Sequence, residues 1–584
     1  MTIRPYLLPA LAALLLIHAG CKKALTPEHT GQARTAARSL VDGGDVIIPT
    51  FDLPIRVDSP FAWGINGHPE ADPAYFSNVP LQFSLIKQLQ VGYYRFDVGF
   101  DNNGQAVSYA GNFSTLLSEA VANNIQLVPT INILSPAQLW ALSADSAFTI
   151  GQQYGQNCSS VYGSYFNYYQ LGNEEDIALL PATGVDGNNP SSYDPVKLAI
   201  LASFFKGMIQ GIKLEDPTAR IIINCGGWYH YGYFLALNQA GVPYDILGYD
   251  WYADLGNYKK VLDSLQVKFP TTTVWFTECN DGNDVYPEND SAQNATIESY
   301  IQNLDQTSNI KGFFIYELFD EPDKADSSEY EANLGMLNWT TPYTAYTIKP
   351  FFETYKFKIE EQKNGWNDFV YSIYLYSNYR QPDPGGLQFW TNWFIQNRNI
   401  PEGFNIILPG ENYARWVNQQ YELFLNREAD STGLAYWTQQ LVNGSTRESV
   451  IDNFVGGTEF WQLSGSTDTG FLNRAYAKLL NRPPTSAEIA NWLPGLNSGT
   501  TATWQVAASV LASQEYLQDF VSASYNWYLR RNNIISPADL SWAVGLMQGG
   551  MTQLDFVKTL LNSYEFYARA IKEGYVRNNP GESF

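Results

Sequence analysis

Apolar and polar positions change rhythm along the chain. Between about 46 and 357, short runs of β-branched and aromatic residues alternate with longer stretches whose apolar residues recur at helical spacing. Eight runs read as strands: Phe61–Asn66, Gly92–Val98, Gln126–Ile131, Phe166–Leu171, Arg220–Asn224, Ile246–Trp251, Thr273–Thr277 and Gly312–Tyr316. Between them lie helix-like segments such as Pro80–Gln90, Phe113–Asn124, Pro195–Leu214, Tyr258–Lys268 and Ala292–Gln306. Eight such units predict an α/β fold, a (β/α)8 or TIM barrel over 46–357, with functional residues at the C-terminal ends of the strands.

From 365 to 570 the alternation gives way to helical segments punctuated by Gly, Ser and Thr. A repeat runs through them. Tyr374, Tyr421, Tyr476 and Tyr525 are each followed six residues later by an arginine: Arg380, Arg427, Arg482 and Arg531. Trp390, Trp437, Trp492 and Trp542 come sixteen or seventeen residues after the tyrosines, and Glu411, Glu459, Glu515 and Glu565 close the units. The pattern predicts an all-α domain of four repeats of about 50 residues. Tryptophans at fixed repeat positions beside apolar neighbours read as core. Residues 571–584 read as a C-terminal tail.

Residues 1–21 carry Arg4, an apolar run over Leu7–Ile17, and the ending Ala19-Gly20-Cys21. That is the pattern of a signal peptide, too short for an ordinary membrane span. The polar, aromatic-poor residues 22–45 read as a flexible tether.

The composition, 45% hydrophobic and 16% charged, is that of a globular chain, and its 584 residues accommodate more than one domain. The net charge of −23 argues against binding nucleic acid or anionic membranes through a basic face. Aromatic residues reach 15%, which suits surfaces for sugar rings as well as large cores. The four cysteines (Cys21, Cys158, Cys225, Cys279) and four histidines show no metal-site spacing, so no metal centre is expected. Cys225 and Cys279 end non-adjacent strands and are expected as free thiols.

The candidate chemistry lies in two strand endings. Tyr169-Gln170-Leu171-Gly172-Asn173-Glu174 closes the fourth strand, with Gly172 free to take the turn. Thr273-Val274-Trp275-Phe276-Thr277-Glu278 closes the seventh. A carboxyl beside an amide donor is placed for acid/base work, and two strand-end carboxyls are what cleavage of a glycosidic bond requires.

Asn-Glu after strand four and Glu after strand seven resemble the large clan of retaining glycoside hydrolases built on this barrel, over residues 46–357. The resemblance implies Glu174 as acid/base and Glu278 as nucleophile. It implies that Arg95 on strand two steadies the nucleophile and that Tyr252, in Tyr249-Asp250-Trp251-Tyr252, hydrogen-bonds it. Asn66 at the end of strand one, His68 just after it, Asn173, Asp250, Trp251 and Tyr316 complete the expected supporting or substrate-binding set. Gly312–Phe319 resembles the clan's strand eight, and Leu337-Asn338-Trp339 with Tyr346 its turn into the last helix. The chain departs from the clan at Glu175, where Pro is frequent, at Asp250, where His or Asn is frequent, and at Tyr316, where Trp is frequent. Families acting on xylosides and related glycans are the nearest. Leu425-Asn426-Arg427-Glu428-Ala429-Asp430, then Gly433-Leu434 and Trp437, resemble a helical repeat domain of unknown function appended to secreted bacterial proteins. Contact with cell-surface components is the role expected of it. Ala19-Gly20-Cys21 resembles a bacterial lipobox, with His18 where Leu is usual.

These readings define a secreted or lipid-anchored retaining β-glycoside hydrolase that needs no metal or organic cofactor and whose partner is a carbohydrate, with the membrane reached only through Cys21. The rival is a non-catalytic cell-surface glycan-binding protein on the same barrel. Both glutamates, Asn173 and Arg95 argue against the rival. If Cys21 is the lipidated residue, Cys21→Ala moves the protein from the membrane to the soluble fraction without altering its activity in solution. Unchanged fractionation of the variant rules the lipobox out.

Overall fold

The computed structural model describes residues 61–69, 73–101, 113–182, 185–281, 290–304, 309–322, 331–531 and 535–580. The chain divides into Met1–Pro49 and Thr50–Phe584. The expected signal peptide, Cys21 and the tether of 22–45 lie outside the described residues.

Eight parallel strands close a barrel in chain order: β1 (Ala62–Gly67), β2 (Tyr93–Val98), β3 (Gln126–Ile131), β4 (Tyr168–Leu171), β5 (Arg220–Cys225), β6 (Ile246–Trp251), β7 (Thr273–Cys279) and β8 (Ile310–Ile315). β8 pairs back to β1 from Ala62–Gly312 to Ile65–Ile315. Every run expected as a strand is one, with its ends moved by at most a few residues. Leu337–Thr341 and Ala345–Ile348 add an antiparallel hairpin before the last barrel helix.

Period-2 alternation divides each strand between two faces. Ala62, Val128, Ile222, Ile246, Trp275 and Phe314 form the inner layer, with Tyr93 and Tyr168 packed on it. The Trp275 ring lies 5.1 Å from Tyr168 and 5.3 Å from both Tyr93 and Phe314. This aromatic plug leaves space only for glycine opposite: a Cβ on Gly64 would come 2.2 Å from Phe314, and one on Gly312 2.6 Å from Trp275. One pleat nearer the strand C-termini the inward positions turn polar, with Asn66, Arg95, Gln170, Asn224, Asp250 and Thr277 all buried. The plug is therefore the floor of a polar mouth.

The helix Pro350–Ser377 closes the barrel and then leaves it. Tyr355 donates from its hydroxyl to the carbonyls of Gly64 and Phe313, both at 2.8 Å. Phe351, Phe352, Tyr355 and Ile359 belong to the barrel's outer core, whereas Trp366, Phe369, Val370 and Ile373 belong to the helical core. The boundary expected between 357 and 365 thus falls inside one unbroken helix. Its apolar stripe changes partner there without a turn, because no proline interrupts it. The expected tail differs likewise: residues up to Asn578 finish the helix Tyr564–Asn578, with Ile571 and Tyr575 buried. Arg577 Nη2 donates to Asp368 Oδ1 on the long helix at 2.6 Å.

The repeat has one physical meaning in all four copies. Each arginine follows a residue with positive φ that ends a helix: Tyr379, Asn426, Asn481 and Arg530, at 52–55°. The guanidinium lies over the repeat tyrosine, 4.8, 4.8, 5.4 and 4.6 Å from the ring centre in chain order. It donates two bonds to the closing glutamate, at 2.7 and 2.7 Å for Arg380–Glu411, 2.7 and 2.9 Å for Arg427–Glu459, 2.6 and 2.6 Å for Arg482–Glu515, and 2.8 and 2.5 Å for Arg531–Glu565. Trp390, Trp437 and Trp492 pack against the core as expected from their spacing. Trp542 departs from this and is 49% exposed.

Replacing Arg531 by Ala removes a two-pronged ion pair and a cation–π contact. We expect a loss of about 1–2 kcal/mol, read as a lower urea midpoint at unchanged slope. Arg531→Lys recovers less than half, since an ammonium cannot make both bonds in one plane. An unchanged midpoint for the alanine variant would mean that helix packing alone holds the repeats.

Candidate active site

The mouth is built around Arg95, the middle inward residue of β2. Its guanidinium is 2% exposed and reaches four neighbours. Nη1 donates to Asn66 Oδ1 at 2.6 Å and to Glu278 Oε1 at 2.8 Å. Nη2 donates to Asn173 Oδ1 at 2.7 Å, and Nε to Gln170 Oε1 at 2.8 Å. Asn66 in turn donates to the carbonyls of Thr277 (2.9 Å) and Ile315 (3.0 Å), so β1, β2, β4, β7 and β8 are joined at one level. The Tyr252 hydroxyl donates to the other Glu278 oxygen at 2.6 Å. Glu278 comes into the mouth although Thr277 precedes it there, because the register of β7 slips against both β6 and β8. Such an irregularity re-aims a side chain that simple alternation would turn outward.

Glu174 is placed by the turn after β4. Gly172 and Glu174 have φ of 68° and 53°. At Gly172 a Cβ would also stand 2.7 Å from the Glu175 carboxylate. The Glu174 amide donates to Asn224 Oδ1 at 3.1 Å, and Asn224 Nδ2 donates to Asn173 Oδ1 and Asp250 Oδ2, both at 2.7 Å. Asp250 Oδ1 accepts from the Thr277 hydroxyl at 2.6 Å. One oxygen from each of Glu174, Asp250 and Glu278 lies within 4.8 Å of the others.

Of the residues singled out in the sequence, Asn66, Arg95, Asn173, Glu174, Asp250, Tyr252 and Glu278 come together in this network. Tyr316 borders it, edge-on to Tyr252 at 5.9 Å and to His68 at 5.3 Å. His68 Nδ1 lies 2.9 Å from Asp97 Oδ2 and its Nε2 3.6 Å from Glu317 Oε2. Trp251 is not part of the site. Residues 247, 249 and 251 of β6 face the outer helices, and Trp251 is fully buried there beside Tyr258, donating to the Ala253 carbonyl at 3.0 Å. Gln170, Asn224 and Thr277 belong to the site and were not singled out, although each is a polar residue near a strand's C-terminal end, which is the available signal. Asp176 was also missed. It is fully buried, with His230 Nδ1 at 2.6 Å from Oδ2 and the Gly226 amide donating to Oδ1 at 2.9 Å. After β5, Trp228 presents an indole 40% exposed.

A second group of metal-type side chains, His68, Glu317 and Glu321, also offers atoms within 4.8 Å of one another. Its mixed nitrogen and oxygen donors are of the kind transition metals take. The Glu174–Asp250–Glu278 group already has a cation, Arg95.

The electrostatics separate the two glutamates. Burial, then the charges of Glu278 and Asp176, push the Glu174 carboxyl up to about 8 from its usual 4.5. Burial opposes the charge on Arg95, but the acidic groups around it, Glu278 foremost, more than offset this and hold the guanidinium protonated. Burial and then the Glu278 charge raise the Tyr252 hydroxyl far above its ordinary range, so it stays a donor.

One family model, described as a glycosyl hydrolase catalytic core, matches part of the barrel. Residues 208–345 match the family model of that description, a span that contains Asn224, Asp250, Tyr252, Glu278 and Tyr316 and begins after Arg95, Asn173 and Glu174. Residues 410–464 and 451–520 match a domain of unknown function, DUF4214. Among solved structures, the chain is similar to the family 1 β-glucosidase from Thermotoga maritima in complex with isofagomine lactam, at 13% identity and a TM-score of 0.40, over 53% of this chain and 99% of that one. It is also similar to the AHE enzyme from Alicyclobacillus herbarius, at 14% identity and a TM-score of 0.39, over 53% and 99%. No curated protein matches the sequence.

A carboxyl whose proton is held more tightly in the fold than in the unfolded chain lowers stability as pH rises between its two pKa values. For Glu174 that window runs from 4.5 to about 8. Glu174→Gln removes the effect, so its stability relative to wild type should improve with pH by up to about 1.4 kcal/mol per unit. Thermal melts between pH 5 and 8 measure this; parallel curves would mean that Glu174 ionises in the fold as it does in water.

Proposed function

We propose that the chain is a retaining β-glycoside hydrolase acting on an oligo- or polysaccharide. The observation that carries this reading is the pairing of Glu174 and Glu278. Their oxygens approach within 4.8 Å across the mouth, near the separation of about 5–5.5 Å used by retaining pairs and below the roughly 6.5–9.5 Å of inverting ones. Glu278, held by Arg95 and Tyr252, is set up to attack the anomeric carbon as a carboxylate. Glu174, with its raised proton affinity, is set up to protonate the departing oxygen.

In the first step Glu278 bonds to the anomeric carbon, the glycosidic bond breaks, and the Glu174 proton goes to the leaving oxygen. Esterified Glu278 no longer carries the charge that raised Glu174, which becomes the base for the second step. It removes a proton from water, and the hydroxide oxygen displaces Glu278 with net retention. Trp228 and Tyr316 offer ring faces of the kind sugar C–H surfaces stack on. Lipid anchoring at Cys21 and attachment at the cell surface by the helical repeats belong to the same proposal.

The test uses leaving groups. Glu174→Ala should still react with a dinitrophenyl β-glycoside in the first step, accumulate the glycosyl-enzyme on Glu278, and be rescued by azide to a β-glycosyl azide. Glu278→Gly should form no glycosyl-enzyme and, with azide, give the α-azide from the same dinitrophenyl β-glycoside, the dinitrophenolate leaving in a single inversion. Swapped configurations would exchange the two roles. A wild-type protein that binds glycans and hydrolyses none would instead be a binding protein.

A further inference from the structure

The pair mechanism gives the buried carboxyl of Asp250 no task. Asp250 is fully buried on the inward face of β6 and shares the 4.8 Å span with Glu174 and Glu278. The charged and titratable groups around it are Arg95 from β2, Glu174 from the turn after β4 with a side-chain hydrogen bond to it, Tyr252 after β6 and Glu278 from β7, with Cys225 of β5 and Cys279 of β7 in the outer core behind it. Arg95 is the one fixed cation among these described groups, and its guanidinium is in direct contact with Glu278 at 2.8 Å.

Uncompensated charge in such a place is costly. One guanidinium balances one carboxylate. Three carboxyls beside one guanidinium therefore reach neutrality with two protons. Glu174 holds the first as the acid of the proposed reaction. We propose that Asp250 holds the second, as a neutral carboxylic acid that positions Asn224, and through it Glu174, and keeps the site balanced through the catalytic cycle.

The hydrogen bonds accommodate this. Asp250 Oδ1 accepts from the Thr277 hydroxyl at 2.6 Å, which leaves the acid proton to Oδ2. Oδ2 accepts from Asn224 Nδ2, whose amide oxygen accepts from the Glu174 backbone. Burial, and then the Glu278 charge, push the Asp250 carboxyl well above the usual range.

The balance also survives the chemistry. At rest the site holds Arg95 positive, Glu278 negative, and Glu174 and Asp250 neutral. After the first step Glu278 is a neutral ester and Glu174 carries the negative charge, so the sum is again zero. With Asp250 ionised the site would carry an excess negative charge throughout. The departure from the His or Asn expected at this position thus retains a neutral hydrogen-bonding group in another form.

The cycle rests on the proposed hydrolase reading, but the proton on Asp250 can be read without activity. Infrared difference spectra at about pH 6 of full-length Asp250→Asn minus wild type should lose one carbonyl band of a protonated carboxylic acid. Glu174→Gln should lose a different one, and the double variant both. Asp250→Ser supplies the same subtraction should the asparagine variant not fold. Loss of an ionised-carboxylate band in place of the acid band overturns the proposal.

Kinetics supply the second reading. Asp250→Asn replaces one neutral group by another, so kcat/KM should fall with the alkaline limb of its pH profile unmoved, whereas Asp250→Ala should lose roughly a hundredfold in kcat as Glu174 shifts. A downward move of the limb by about one unit or more in Asp250→Asn would reveal that a negative charge had been removed, and would overturn the proposal. Absence of hydrolysis by wild type, with the acid band present, sinks the hydrolase reading and leaves the protonated Asp250 standing.

Discussion

A single buried guanidinium organises the upper barrel. Arg95 binds side chains from β1, from β4 and its turn, and from β7, and does so at 2% exposure. A buried cation is tolerable only when its donors are matched and its charge is met. That requirement dictates the oxygen-bearing side chains around it: Asn66, Gln170 and Asn173 as neutral acceptors and Glu278 as counter-ion. The same contacts fix the angle at which Glu278 faces the mouth, so a structural necessity and the proposed catalytic arrangement coincide in one residue.

The layer below makes this arrangement rigid. Trp275, Phe314, Tyr93 and Tyr168 fill the barrel interior, and glycine stands where a side chain would collide with them. With the interior packed, the polar layer cannot sink, and water has no route to it from beneath. Above it, Gly172 and Glu174 take left-handed backbone conformations that turn the acid back over the floor.

The helical half rests on a different device. Its helices share one continuous apolar core, and each junction is tied by an arginine placed between a tyrosine face and a glutamate. These pairs are partly exposed, so each contributes modestly and the packing of the helices contributes more. The long helix Pro350–Ser377 serves both halves, since one stripe of aromatic residues covers the barrel and then enters the repeats.

By itself the sequence determined the order of strands and helices, the repeat, and the two glutamates at strand ends. These are local properties: periodicity marks which face is buried, and a carboxyl after an apolar run marks a strand's mouth. It also determined that Arg95 and Tyr252 belong near Glu278, through resemblance to barrels of that kind. Tertiary structure alone decided the rest. Trp251 looked like a site residue beside Asp250 and Tyr252, yet alternation turns it to the outer helices, while the register slip at β7 turns Glu278 inward. Gln170, Asn224 and Thr277 enter the network because closing eight strands brings residues far apart in sequence to one level. The boundary near 357–365 vanished because an apolar stripe can change partners without breaking its helix. Periodicity in a chain records how much of each residue is buried; which groups meet once buried is set only when the barrel closes.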